Sequence, residues 1–179
     1  MKKILLIIVV AILGTGMSHA IEPKYKGYAE FYTGFAAPQQ FADLGFMYGT
    51  STTHGFKLLD ELFVGLGAEV GVSYYNETFG RYKESDYSVL CAIFADGRYN
   101  FLCEEKFSPF VGYRMGVGYN GYDENVGLYL SPSAGCSFNL TEKFGFDASL
   151  GYRLYTGSHK NNDWFGNVSC FTVSVGIHF

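Results

Sequence analysis

Over residues 165–179 the chain alternates strictly between two populations. Phe171, Val173, Val175, Ile177 and Phe179 hold one parity, and Thr172, Ser174, Gly176 and His178 the other. An extended strand here has one wholly apolar face and one small, weakly polar face. Antiparallel strands that face water carry Lys, Glu and Arg on the polar side, and this side is too bare for that. The pattern predicts the inverse arrangement, with the apolar face turned to lipid and the small face lining a narrow lumen.

The inversion recurs along the chain. Period-two segments fall at 25–36, 41–57, 62–75, 87–101, 107–119, 126–140 and 144–155, ahead of the last strand. In the third, Val64, Leu66, Ala68, Val70 and Val72 alternate with Gly65, Gly67, Glu69, Gly71 and Ser73; in the fifth, Val111, Tyr113, Met115 and Val117 alternate with Gly112, Arg114, Gly116 and Gly118. The strands number eight, and the connections after the even strands are shorter on average than those after the odd ones. This predicts an all-β fold, an eight-stranded antiparallel up-and-down transmembrane β-barrel with short periplasmic turns, longer outer loops and both termini on the periplasmic side. Residues 76–85 read as a polar loop. In the second strand the parity sets Thr50, Thr52 and His54 against lipid, a cost that a bulge near Gly49 or Gly55 would relieve, so their face stays open. Pro132 reads as a second bulge.

The N-terminus changes the picture by adding export. Lys2 and Lys3 precede an apolar run from Ile4 to Leu13, and His19-Ala20 ends in a small residue, with another small residue, Ser18, two positions before it. This is the pattern of a cleaved signal peptide, 1–20, ahead of one barrel domain, 21–179. The run is about half of the ~20 residues that a membrane-spanning helix needs. Of 13 basic side chains, losing Lys2 and Lys3 leaves 11 against 17 acidic ones, which argues against nucleic acid as a partner. The 23 Gly, 15 Tyr and 17 Phe against 4 Pro suit strands and tight turns. Cys91, Cys103, Cys136 and Cys170 form no C-x-x-C pair and find no histidine at zinc spacing, so they read as free thiols and neither metal nor cofactor is expected.

A soluble lipocalin-like barrel also has eight strands, but its exterior must carry charge over roughly a quarter to a third of its surface. Here the polar face offers about one charge per strand. Phe110-Val111-Gly112-Tyr113-Arg114, Leu150-Gly151-Tyr152-Arg153 and the terminal Val175-Gly176-Ile177-His178-Phe179 resemble the family of small outer-membrane β-barrels typified by OmpA and OmpX, often grouped with porin-like proteins of Gram-negative bacteria. The resemblance spans the mature chain. It implies residence in the outer membrane among its lipids. It also implies that Val175, Ile177 and Phe179 form a C-terminal signature read by the outer-membrane assembly machinery.

The charges share the inward parity: Glu30, Glu69, Asp96 and Asp147 with Arg98, Arg114 and Arg153, joined by Asp43 and Lys57. Eight strands enclose a space just wide enough for side chains, so these groups are expected to pair as a structural plug that closes the lumen. A narrow porin-like transporter is the first alternative. A lipid-modifying enzyme is the second, since outer-membrane deacylases and palmitoyltransferases also use eight strands. His54, His159 and His178 lack the His-x-Ser spacing of the deacylases, so no catalytic residue is assigned. No external ligand can be named from the sequence.

Overall fold

The computed structural model describes residues 24–36, 45–79, 82–102, 106–121, 125–141, 143–156 and 168–179. The expected signal peptide, Asp43, Cys103 and His159 lie outside these residues. Eight strands follow one another as β1 (Lys24–Ala36), β2 (Gly45–Lys57), β3 (Leu62–Phe79), β4 (Tyr82–Asn100), β5 (Phe107–Asn120), β6 (Asn125–Asn139), β7 (Gly145–Tyr155) and β8 (Val168–His178). Each pairs antiparallel with its sequence neighbours, and β1 closes on β8. Closure leaves no strand edge, so every strand finds a ladder partner on both sides, as a wall in lipid requires. The seam is tied off where Gly27 and Phe179 exchange backbone hydrogen bonds of 2.7 and 3.0 Å.

The alternation sorts the side chains as the sequence pattern requires. Leu66, Ile93, Leu150 and Phe171 stand outward and are at least 66 % exposed, whereas Arg98, Asp96 and Arg153 of the opposite parity are 2 % exposed. Toward the loop end the lumen is filled by Tyr32, Met47, Leu90, Phe94, Tyr129, Tyr155 and Cys170. Glycines make room for these rings: a Cβ on Gly118 would stand 2.7 Å from the Tyr155 ring. Cys91, Cys136 and Cys170 are free thiols.

Three local expectations are corrected. The β1–β2 ladder runs unbroken from Lys24 opposite Lys57 to Ala36 opposite Gly45. No bulge intervenes, and Thr50, Thr52 and His54 are exposed on the outer wall; hydrogen bonds among neighbouring side chains offset part of that cost. Pro132 interrupts the β6–β7 ladder without inserting a residue, because Leu130 opposite Leu154 and Ser133 opposite Gly151 share one register. The missing N–H of proline accounts for the gap. Finally, residues 76–79 and 82–85 continue the β3–β4 ladder as far as Phe79 opposite Tyr82. A strand crosses the hydrocarbon in about 9–11 residues, so these strands of 18 and 19 residues rise well beyond it.

Candidate functional site: the charged lumen

Glu30 stands at the centre of one cluster. From β1 it points into the lumen, where Arg98 Nη2 donates to its Oε1 at 2.7 Å and Arg114 Nη2 to its Oε2 at 2.5 Å. Asp96, two residues before Arg98 on β4 and opposite Arg114 on β5, accepts from Arg114 Nε at 3.1 Å and lies 3.7 Å from Arg98. Ser51 donates to Glu30 at 3.4 Å and accepts from Arg114 at 3.3 Å. Two carboxylates and two guanidinium groups thus balance within one buried knot. The faces of Arg98 are also used: its guanidinium carbon lies 3.9 Å from the Tyr28 ring centre and 4.7 Å from that of Phe110. Such stacking suits a delocalised cation whose Nε and Nη1 have no hydrogen-bond acceptor among the described residues.

Glu69 anchors a second cluster of different make-up. It accepts from the Tyr129 hydroxyl at 2.8 Å, from the Tyr155 hydroxyl, and from Arg153 Nε at 3.4 Å. Arg153 also donates to Thr172 at 2.8 Å and stacks 3.6 Å from the Tyr32 ring centre. Asp147 belongs to neither cluster. It accepts from Ser137 and lies 3.0 Å from His178 Nδ1, nearer the end where the chain terminates.

All seven charged residues singled out in the sequence are therefore buried in the lumen. Six of them fall into two groups, and Asp147 pairs with His178 instead. Lys57 is half-buried at the rim. His178, Tyr155, Ser51 and Thr172 join the network as well. Their inward parity was visible, but which polar residue reaches which carboxylate depends on strand stagger. Between the two clusters, Glu30, Arg114, Arg153, Ser131, Ser149 and Thr172 help to line a cavity of about 10 Å³. That is about the space of a single water. Among the described residues no group of His, Cys, Asp and Glu is arranged to hold a metal ion.

No protein-family model matches the chain, and no curated protein matches it in sequence. Solved structures do. Neisserial surface protein A is 16% identical with a TM-score of 0.59, the match covering 86% of this chain and 95% of that one. The outer membrane protein OprG from Pseudomonas aeruginosa is 13% identical with a TM-score of 0.59, covering 86% and 93%. The outer membrane enzyme PagL is 11% identical with a TM-score of 0.55, covering 82% and 97%. The chain shares with these proteins the closed eight-stranded barrel, the fold of small outer-membrane proteins.

Proposed function

We propose that the protein is an integral outer-membrane barrel, exported by the signal peptide 1–20, with a structural or surface-interacting role, a closed lumen and no catalysis. The observation that carries this reading is the inversion of the wall. Large apolar side chains cover the outside while arginines and carboxylates fill the inside, which is stable in lipid and not in water. The two neutral ion-pair clusters and the small space between them support a plug rather than a pore. Likeness of fold to the outer membrane protein OprG and to a neisserial surface protein agrees with the location. Val175, Ile177 and Phe179 face outward on the closing strand. In the unfolded chain they supply the apolar terminal signature for the assembly machinery.

Two measurements test the proposal together. Folded in micelles, the protein should run differently on a gel from the boiled sample, and in planar bilayers it should conduct ions negligibly. Identical mobility with release from membranes by high salt would remove the membrane reading. Frequent, stable openings would replace the plug by a narrow transporter.

A further inference from the structure

Gly151 faces the lumen on β7, with Ser149 and Arg153 as its inward neighbours along the strand. Across the ladders it stands opposite Ser133 on β6 and Thr172 on β8, and Ser149 stands opposite Ser174. Hydroxyls on three strands therefore surround one residue that has no side chain. A Cβ on Gly151 would stand 3.3 Å from Ser133 Cβ and 3.3 Å from Thr172 Oγ1, so glycine keeps the space between them open.

This space belongs to the cavity between the two clusters, whose lining also includes Glu30 and Arg114 of one and Arg153 of the other. Ser133, Ser149 and Ser174 make no side-chain hydrogen bond to another described residue, and Ser174 is buried. Thr172 accepts from Arg153 at 2.8 Å, which leaves its own hydrogen to donate. Glu30 accepts from Arg98, Arg114 and Ser51, and the two oxygens of a carboxylate have room for about one bond more. Buried hydroxyls left unpaired are costly, and water is their usual partner where a polar space fits one and offers about two to four contacts. Other occupants suit the cavity less well. It has about the room of a single water, which excludes a solute. An anion would meet the Glu30 carboxylate, and a cation would meet Arg114 and Arg153.

Resting on the closed-lumen reading above, we infer that the cavity over Gly151 is a binding site for one ordered water that bridges the clusters. The water accepts from Thr172, donates to Glu30 and meets the serine hydroxyls with its remaining sites. Such a bridge is nearly as good as a direct hydrogen bond. It joins the Arg153–Glu69 group to the Glu30–Arg98–Arg114 group, so that the plug is one hydrogen-bonded unit from its aromatic end to Glu30.

The test is a high-resolution crystal structure of the full mature barrel, each preparation being first checked for the heat-shifted folded band. Wild type should show one water within hydrogen-bond distance of Thr172 Oγ1 and a Glu30 oxygen. Ser174→Val, which exchanges a hydroxyl for a methyl and fills space with a second one, should lose that water. Gly151→Ala should lose it too; if Gly151→Ala gives no folded band, Ser174→Val carries the test. No peak in wild type, a peak whose anomalous signal identifies chloride, a water bonded to the serines alone, or a water retained by the folded variants would each overturn the bridge. The lumen reading is separated by conductance in planar bilayers. A missing water in a folded barrel that does not conduct defeats this inference alone, whereas frequent, stable openings of wild type defeat the closed lumen and the bridge with it.

Discussion

The two lumen clusters solve the same problem by different means. Around Glu30, neutrality comes from charge count, since two guanidinium groups and two carboxylates share a knot in which each charge has at least two opposite neighbours. Around Glu69, one guanidinium group is joined by two phenol hydroxyls, so the carboxylate stays hydrogen-bonded by neutral donors as well as by an ion. The first arrangement is brittle, because removing one charge strands others in a dry interior. The second tolerates loss, because each remaining donor still satisfies the acceptor. Both clusters pack on rings, Arg98 on Tyr28 and Phe110 and Arg153 on Tyr32, but among the described residues it is Glu69 to which ring hydroxyls, those of Tyr129 and Tyr155, donate.

The largest effect should therefore come from Glu30→Gln, which deprives Arg98 and Arg114 of the nearer of their two shared partners and leaves one carboxylate to two guanidinium groups. Breaking such a buried pair costs about 3–5 kcal/mol, read as a loss of the heat-shifted folded band at lower urea. Adding Arg98→Met to Glu30→Gln should recover part of that loss, since neutrality returns. A double variant no more stable than the single one would break the charge-count account. Arg153→Met should cost less, about 1–3 kcal/mol, because Glu69 still accepts from the hydroxyls of Tyr129 and Tyr155. Smallest is Tyr155→Phe, at about 0.5–1.5 kcal/mol for one hydrogen bond among three. If Arg153→Met proves as damaging as Glu30→Gln, the contrast between the clusters fails.

Much of this was legible in the sequence, for a physical reason. A strand repeats every two residues, so parity alone sets Glu30, Glu69, Asp96, Asp147, Arg98, Arg114 and Arg153 on one side of a closed wall and Val175, Ile177 and Phe179 on the other. Pairing is a different matter. Arg114 reaches Glu30 across 84 positions of sequence, and Arg153 reaches Glu69 across another 84. Those meetings depend on the stagger of all eight strands, which parity does not encode. His178 shares the inward parity of Thr172 and Ser174, but its meeting with Asp147 depends on the same stagger. The outer-wall histidine, His54, shows a different case. Its parity pointed to lipid, the cost of that placement suggested a bulge, and the actual compensation came from Tyr25 and Thr52.

In an inverted barrel the apolar faces meet lipid and the small polar faces meet the lumen, and the closing strand tests this most directly. In a cysteine-free background refolded into bilayers, single spin labels at Thr172, Val173, Ser174, Val175, Gly176 and Ile177 report contact with lipid-soluble oxygen. The account predicts strong relaxation by oxygen at 173, 175 and 177 and weak relaxation at 172, 174 and 176. The opposite parity, or no alternation, would contradict it and turn the barrel into one with a solvent-facing wall.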